Sequence, residues 1–360
     1  MKRIILTGGG TAGHVTPNLA LIPNLQAAGF EIHYVGQAEG IERQLVEPLG
    51  IPYHPIKAGK LRRYLDWQNV TDIFRVGWGT VQAYRLLGRL RPDLVFSKGG
   101  FVACPLVWAA WARRVPVIAH ESDLTPGLAN KLSAPFAGQI CYSFPETQGH
   151  LPPGKGVQTG IPIRESLHAG DPAVGRSLCG FADSKPVLLV IGGSQGAEAI
   201  NQAVRAVLPP LLKRFNICHI CGRQGVDSAE NDRAGYKQFA YVDQDLAHLL
   251  ALADLVVSRA GATTLFELLA LGKPNLLIPL SRQASRGDQI LNAASFNQQG
   301  FSQVLEEEAL NPPARLIQAI EQAYHDRSAM SVAMRASDVP NGVEQVMALI
   351  RAATTTTRRK

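Results

Sequence analysis

A strand, a glycine-rich loop and a helix follow one another twice in this sequence, about half a chain apart. In the first copy Ile4-Ile5-Leu6 runs into the loop at 8–13, and in the second the apolar run 187–191 leads into the loop at 192–197. This order is typical of the first βα unit of a parallel sheet. Because 360 residues suffice for two domains of ordinary size, the repeat predicts an α/β protein with two Rossmann-like parallel-sheet domains.

Short apolar runs that alternate with helical patterns extend this prediction along the chain. Helices are expected over 18–28, 200–215 and 264–271, with Gly29 and Gly272 placed as C-terminal caps. Thr16 followed by Pro17 predicts the start of the first helix. The predicted strands are 3–6, 32–35, 94–96, 115–119, 140–142, 187–191, 215–219, 255–257 and 275–278.

Composition excludes several classes of protein. Hydrophobic residues make up 46% and charged residues 18%, which is typical of a packed protein rather than a disordered one. No apolar stretch reaches the roughly 18 residues of a membrane span, and the apolar start is too short for a secretion signal. Five scattered cysteines indicate a reducing cytoplasm. The lone Cys218-x-x-Cys221 pair is interpreted as part of a buried strand, ahead of a zinc or redox site.

The net charge of +7 is concentrated in one segment. Residues 57–114 hold eleven Lys and Arg against three Asp, interleaved with aromatic residues such as Phe74, Trp78, Trp108 and Trp111. This mixture favours a patch that faces an anionic membrane over a merely solvated face. A nucleic-acid-binding protein is the non-enzymatic alternative, but no binding module is recognisable. The eleven bases are Lys57, Lys60, Arg62, Arg63, Arg75, Arg85, Arg89, Arg91, Lys98, Arg113 and Arg114.

The first glycine loop fits the spacing of a dinucleotide-binding turn. Gly8, Gly10 and Gly13 match G-x-G-x-x-G between a strand and a helix, where backbone N–H groups can hold a phosphate. NAD binding also calls for an acidic residue at the end of the second strand, and the nearest candidate, Glu39, comes late. His14 follows the loop, where it could act as a general base or merely hydrogen-bond the loop.

The segment 258–267 again leads from a strand into a helix start, where a phosphate can bind. Glu267 fits two roles that spacing does not separate: the acid of a capping box that begins at Thr264, or a carboxylate that accepts hydrogen bonds from ribose hydroxyls. Asp243 and Asp245 form a D-x-D pair, and because a helical run follows, we interpret them as helix caps rather than metal ligands.

Together these motifs resemble those of the bacterial undecaprenyl-diphospho-muramoylpentapeptide β-N-acetylglucosaminyltransferases. The resemblance implies the GT-B fold, with two Rossmann-like domains facing each other across a cleft. It implies transfer of GlcNAc from UDP-GlcNAc to the muramoyl 4-hydroxyl of lipid I, which yields lipid II for peptidoglycan. The motifs occur in the family's order at 8–14, 98–102, 120–123, 192–197, 259–267, 288–289 and 292–293.

The resemblance also implies roles for individual residues. The C-terminal domain would hold the donor, while Thr11, Ala12 and Gly13 would approach it from the other domain. His14 is the proposed base and Glu121 the second candidate. No metal or other cofactor is predicted, and Gly8, Gly10, Gly99 and Gly100 would form the acceptor loops. Donor contacts are expected from Asp123, Arg164 and Ser194 (the last two near the diphosphate), Val242 (uracil), Ala262, Thr263 and Thr264 (phosphates), Glu267 (ribose) and Gln289 (GlcNAc).

Three positions depart from the family's usual motifs. Ala12 replaces a glycine, Ser122-Asp123 replaces Gln-Asn, and Ile161 replaces an asparagine. The alternatives left open are another GT-B enzyme, such as a UDP-GlcNAc 2-epimerase, and an NAD-dependent oxidoreductase.

The predicted domains are 1–163 for the acceptor and membrane and 164–340 for the donor. A C-terminal helix over 341–353 would pack back on the first domain, and 354–360 would be a disordered tail. The resemblance implies a peripheral protein on the cytoplasmic face of the bacterial inner membrane, with a cell-wall synthesis complex as a further partner.

Overall fold

The computed structural model describes residues 1–59, 67–193, 196–231 and 233–356. The chain divides into two compact units. Unit 1 comprises Met1–Arg164 together with Val339–Lys360, and unit 2 comprises Glu165–Asp338.

Unit 1 is built on a parallel sheet of seven strands in the order β3-β2-β1-β4-β5-β6-β7. The strands are β1 Lys2–Thr7, β2 Phe30–Gly36, β3 Tyr53–Pro55, β4 Leu94–Ser97, β5 Val117–Glu121, β6 Gln139–Tyr142 and β7 Gly156–Gln158. The helices are α1 Ala12–Ala27, α2 Ile41–Val46, α3 Trp67–Leu90, α4 Ala103–Ala112, α5 Leu128–Ser133 and the C-terminal α14 Gly342–Thr356. Three 3₁₀ helices, Glu47–Leu49, Ala134–Phe136 and Pro145–His150, lie in its connections.

Both faces of this sheet are buried, as a parallel sheet requires. Ile4 and Leu6 of β1 point into a core shared with α1 and with Val346 and Ile350 of the C-terminal helix α14. Ile5 points the other way, into a core shared with α3 and α4. The period of two along β1 therefore divides unit 1 into two apolar layers, and the last helix of the chain completes one of them.

Unit 2 is built on a parallel sheet of six strands in the order β10-β9-β8-β11-β12-β13. The strands are β8 Val187–Ile191, β9 Asn216–Ile220, β10 Tyr236–Phe239, β11 Leu255–Ser258, β12 Asn275–Leu277 and β13 Gln303–Val304. The helices are α6 Pro172–Cys179, α7 Glu198–Ala206, α8 Leu208–Leu212, α9 Leu246–Leu252, α10 Ala262–Ala270, α11 Asp288–Gln298, α12 Ala314–His325 and α13 Arg327–Arg335, with 3₁₀ helices at Glu165–Ala169, Ser228–Glu230 and Glu307–Leu310.

The two predicted parallel sheets are confirmed, and each predicted strand corresponds to an observed one. Gly29 and Gly272 follow helices with φ of +75° and +60°, as predicted for C-terminal caps. Cys218 is buried in β9 and Cys221 is buried directly after it. None of the five cysteines forms a disulfide. Within the described ranges, no helix is both long enough and apolar enough to cross a membrane.

Three local predictions are wrong. Helix α1 begins at Ala12 with Thr11 as N-cap, five residues before Pro17, because the positive φ of Gly10 already turns the chain into the helix. The helix expected over 200–215 is two helices, because Pro209 and Pro210 start a new one. The tail is helical as far as Thr356, while 357–360 lie outside the described residues.

Candidate functional site

The carboxyl ends of the strands carry the predicted site residues in each unit. In unit 1 the loops after β1 and β4 pack backbone against backbone. They approach so closely that a side chain on Gly100 would collide with the carbonyl of Gly9. Gly99 and Gly100 have φ of +89° and +81°, which favour glycine. A Cβ on Gly8 would lie 2.5 Å from the carbonyl oxygen of His14. These glycines therefore allow the loops to approach closely.

Glu42 holds the first glycine loop in place. It is completely buried at the start of α2, and its two oxygens accept the backbone N–H groups of Gly10 at 3.2 Å and Gln37 at 3.0 Å. Sequence reasoning missed this residue, because only the fold brings it against a loop 32 residues earlier. The loop is held a second time by Tyr34, whose hydroxyl donates to the carbonyl of Gly8 at 2.6 Å.

His14 lies in the first turn of α1 and is partly exposed. Its Nδ1 is 3.1 Å from the hydroxyl oxygen of Thr11. If Nδ1–H donates to that oxygen, Nε2 carries the lone pair that can accept a proton, the geometry a general base needs. The structure places His14 within the helix rather than before it, but still at the carboxyl edge of the sheet.

Lys98 does not belong to the exposed basic patch in which the sequence placed it. Its side chain is buried, with Nζ 2.8 Å from Nδ1 of His120 and in contact with the hydroxyl of Ser122. Burial lowers the pKa of Lys98 to about 8, while the charges of Glu121 and Asp123 act in the opposite direction. Burial, together with the Lys98 charge, also holds the pKa of His120 well below its usual value.

Glu121 is a buried carboxylate at the end of β5. It accepts the backbone N–H groups of Asp123 and Gly127, both at 3.0 Å, and the side-chain amide of Asn130 at 2.8 Å. Burial raises its pKa, and the nearby charge of Asp123 adds to the effect. These contacts fix the loop after β5, and Glu121 as an alternative base remains a prediction.

The described part of the basic segment exposes aromatic side chains. Phe74, Trp78 and Tyr84 project from α3 with 75%, 50% and 43% of their surface exposed, and Trp111 projects from α4. The guanidinium of Arg113 lies 3.8 Å from the ring centre of Tyr84. Cations and aromatic rings are thus interleaved on this surface. Lys60, Arg62 and Arg63 lie outside the described residues.

In unit 2 the densest motif forms the start of α10. Gly261 is the N-cap, so Ala262, Thr263 and Thr264 form the first turn and present the helix N-terminus. Glu267 is the sixth residue of the helix, in its second turn. A capping box starting at Thr264 is therefore wrong, because Thr264 lies inside the helix and not at its cap. Of the two roles considered for Glu267, the capping box is excluded, and hydrogen bonding to ribose hydroxyls remains a prediction.

Neighbouring side chains support this helix start. Arg259 forms an ion pair with Glu307 and donates to the carbonyl of Ile278 at 3.1 Å. Asn292, completely buried in α11, donates its amide to the carbonyl of Ala260 at 3.3 Å. Gln289, on the same helix, accepts the backbone N–H of Leu280 through Oε1 at 3.1 Å, so its NH₂ group is the one suited to a sugar hydroxyl.

The other predicted donor residues lie on neighbouring connections. Val242 follows β10 and is half-buried, and Arg164 is the last residue of the first segment of unit 1. Ser194 lies outside the described residues. Asp245 occupies the N-cap position of α9, but its side chain makes no capping hydrogen bond, so the predicted side-chain cap is wrong there. In the described ranges no cluster of three or more His, Cys, Asp or Glu side chains could hold a metal ion.

Comparison with known proteins decides the family. The model of the glycosyltransferase family 28 N-terminal domain matches residues 4–142, and that of the family 28 C-terminal domain matches 187–347. The chain belongs to glycosyltransferase family 28. It is 55% identical over 350 residues to the UDP-N-acetylglucosamine–N-acetylmuramyl-(pentapeptide) pyrophosphoryl-undecaprenol N-acetylglucosamine transferase of Lachnoclostridium phytofermentans, covering 97% of this chain and 98% of the relative.

Solved structures agree with membership of family 28. The crystal structure of Acinetobacter baumannii MurG matches with a TM-score of 0.76 and 27% identity, covering 98% of this chain and all of that one. The UDP-GlcNAc 2-epimerase of Neisseria meningitidis matches with a TM-score of 0.67 at 12% identity, over 99% of this chain and 100% of that one, a likeness that shows the fold alone. The GT-B fold class is confirmed, and the protein is a glycosyltransferase of the MurG type.

Proposed function

We propose that this protein transfers GlcNAc from UDP-GlcNAc to the 4-hydroxyl of the N-acetylmuramoyl group of lipid I, forming lipid II and UDP. The observation that carries the proposal is the 55% identity, over almost the whole of both chains, to a transferase named for this reaction. The NAD alternative lacks an acid at the end of β2, and the epimerase alternative rests on a likeness of fold.

His14 is the proposed general base in unit 1. Transfer from an α-linked sugar nucleotide to a β-glycoside inverts the anomeric centre, so a single in-line displacement suffices. The lone pair of Nε2 would take the proton of the acceptor hydroxyl as the new bond to the sugar forms. The Thr11 hydroxyl is compatible with this tautomer, because it can accept from Nδ1–H. Thr11, Ala12 and Gly13 precede His14 and remain proposed donor contacts.

The proposed donor residues, most of them in unit 2 but with Arg164 and Asp123 in unit 1, would bind the donor and stabilise the departing UDP. The first turn of α10 offers backbone N–H groups and the positive end of the helix dipole to the diphosphate, and Arg164 adds a positive charge. These groups can balance the growing negative charge, so we expect no metal or other cofactor to be required. Glu267 would accept hydrogen bonds from the ribose, Gln289 would donate to the GlcNAc, Val242 would face the uracil, and Ser194 and Asp123 complete the proposed set.

The exposed aromatic and basic surface of α3 and α4 is the proposed contact with an anionic membrane. Phe74 and Trp78 would enter the interface, while Arg75, Arg85 and Arg89 remain near the lipid phosphates. Because lipid I is membrane-linked, this contact would keep the enzyme beside its acceptor, on the cytoplasmic face of the inner membrane. Association with other cell-wall enzymes remains a prediction.

Transfer of radiolabelled GlcNAc from UDP-GlcNAc to a lipid I analogue tests the proposal. We expect a labelled lipid product that appears together with UDP and depends on both substrates, also in the presence of EDTA. UDP release without the acceptor would instead indicate an epimerase or a hydrolase. No product and no UDP at saturating substrates would contradict the proposed function.

A further inference from the structure

Lys98 combines complete burial with hydrogen bonds to neutral groups. Its side chain is 1% exposed, and its ammonium contacts Nδ1 of His120 and the hydroxyl of Ser122. A buried ammonium is costly unless its hydrogen bonds are satisfied, and an apolar side chain would fill the same space without that cost. The charge at this position therefore calls for an explanation beyond packing.

The hydrogen bonds of His120 determine which of its ring nitrogens carries the hydrogen. Nε2 of His120 is 2.9 Å from the carbonyl oxygen of Gly160, which can only accept, so Nε2 carries the hydrogen. In a neutral ring Nδ1 is then an acceptor, and it faces the Lys98 ammonium at 2.8 Å. A charged donor makes this bond stronger than a neutral one would.

Lys98 also lies directly beneath the loop that carries His14. Its backbone N–H donates, at 2.8 Å, to the carbonyl of Thr7, which is the last residue of β1. A Cβ on Gly8 would lie 2.8 Å from the Cβ of Lys98 and 2.5 Å from the carbonyl oxygen of His14. Lys98 thus meets the base of the first glycine loop through its backbone N–H and Cβ, and the loop that carries Asp123 through its ammonium and Ser122.

We infer that Lys98 is a positioning residue for glycosyl transfer: its ammonium holds the loop after β5, while its backbone and Cβ pack against the base of the loop that carries His14. The inference rests on the proposed function and goes beyond it, because it assigns a role to a buried residue that acts through the two loops it contacts. It also accounts for Ser122 and Asp123, where the family motif has Gln and Asn: Ser122 accepts from the ammonium, and the Asp123 carboxylate favours its charged form.

Loss of the Lys98 charge should therefore weaken transfer at high pH. The titratable groups that act on it are His120 and Glu121 of β5, Asp123 beyond it and Cys141 of β6. Because burial lowers the pKa of Lys98 to about 8, its charged fraction falls as the pH rises through that value. An arginine at this position would stay charged throughout.

The test compares Lys98→Met and Lys98→Arg with Lys155→Met in the transfer assay between pH 6.5 and 9.5. Lys155 is the control, because its ammonium also holds a connection of unit 1, through the carbonyls of Ala134, Pro135 and Ala137, but is only partly buried. We expect Lys98→Met to lower kcat about 10- to 100-fold at pH 7.5, with the KM for UDP-GlcNAc changed less than about 2-fold. We expect kcat of the wild type to fall above about pH 8, and Lys98→Arg to shift that fall upward.

Two measurements test the positioning role of Lys98 even when the transfer reaction is not observed or a variant does not fold. Amide hydrogen exchange at residues 8–14 should be faster in Lys98→Met than in Lys155→Met, whatever reaction the enzyme catalyses. If Lys98→Met does not fold, the comparison of the wild type with Lys98→Arg decides through the pH profile. Unchanged exchange at residues 8–14, or the same high-pH limit in the wild type and in Lys98→Arg, would overturn the positioning role. A wild type that transfers no GlcNAc contradicts the proposed function alone.

Discussion

The buried carboxylate of Glu42 accepts the backbone N–H of Gly10 across 32 residues of sequence, at 3.2 Å. Its other oxygen accepts the N–H of Gln37 at 3.0 Å. A side chain on Gly9 would overlap the same carboxylate. One buried acid therefore fixes the conformation of the loop that precedes His14.

Replacing Glu42 by Gln should destabilise unit 1 and slow transfer together. The amide can satisfy one of the two N–H groups but presents hydrogens to the other, and an unsatisfied buried donor costs about 1–3 kcal/mol. Urea unfolding and the transfer assay measure the two effects. The control is Glu47→Gln, which removes only an exposed i,i+4 ion pair with Arg43. Equal stability and activity in the two variants would contradict the role given to Glu42.

The central strands could be predicted from the sequence, and the outer ones could not. Strand β8 is a continuous apolar run, and β1 contains one at Ile4-Ile5-Leu6, because both faces of a parallel sheet are covered by helices. The four strands that escaped prediction are the outermost in their sheets: β3, β7, β10 and β13. They have two to four residues and are mostly half-exposed, so they lack an apolar signal.

The candidate site was predictable where the chain itself supplies the pattern. The glycine loops and the small residues before α10 stand beside strand ends in the sequence, so their position follows from the fold class. The side chains that support them come from distant segments: Glu42 contacts Gly10, and Asn292 contacts the carbonyl of Ala260. Lys98 appeared as one more base in a basic segment, because the sequence alone does not show that its side chain turns inward.

His14→Ala should reduce turnover by about 10²- to 10⁴-fold while UDP binding stays nearly intact, because a general base contributes to the chemical step and not to donor affinity. Single-turnover transfer and calorimetric UDP binding separate these quantities. His150→Ala serves as control, since this histidine of unit 1 is exposed and far along the chain from the glycine loops. Turnover close to that of the wild type in His14→Ala would reject His14 as the base.

Glu267→Gln should raise the KM for UDP-GlcNAc about 10- to 100-fold, because a neutral amide replaces a charged acceptor of the ribose hydroxyls. The side chain keeps its size in the second turn of α10, so the fold should be retained. Steady-state kinetics with each substrate varied in turn measure the effect. Glu321→Gln, which loses an exposed ion pair with Arg214, should leave the donor KM unchanged. An unchanged donor KM in Glu267→Gln would rule out the ribose contact.

Replacing Phe74 and Trp78 together by Ser should weaken binding to vesicles of anionic phospholipid by about 10-fold or more, since two large apolar groups no longer enter the interface. Replacing Arg85 and Arg89 by Gln should weaken binding to the same vesicles but not to neutral ones. Vesicle sedimentation measures both effects, and UDP affinity should not change. The control is Val332→Ser, which removes an exposed apolar group from unit 2. Vesicle binding as strong as that of the control would exclude the α3 surface as the contact.

Acid should destabilise unit 2 through the buried His219. Burial lowers its pKa to about 3, with a smaller effect from the charge of Arg205. Its ring nitrogens lie 2.8 Å from the hydroxyl of Tyr236 and 2.9 Å from Oδ1 of Asn201, an arrangement that a neutral ring satisfies.

The direction of this pH effect follows from the difference in proton binding at His219 between the folded and the unfolded chain. The unfolded chain binds a proton at His219 below pH 6.5, but the folded chain does so only near pH 3, so stability is lost as the pH falls through this window. We expect a loss of up to about 1.4 kcal/mol per pH unit from this residue. His219→Gln should remove that slope, whereas His325→Gln, at an exposed histidine, should keep it. Hydrogen exchange of the β9 amides between pH 4 and 7, corrected for the intrinsic rates, measures the slope. The same slope in both variants would show that His219 is not the group that titrates.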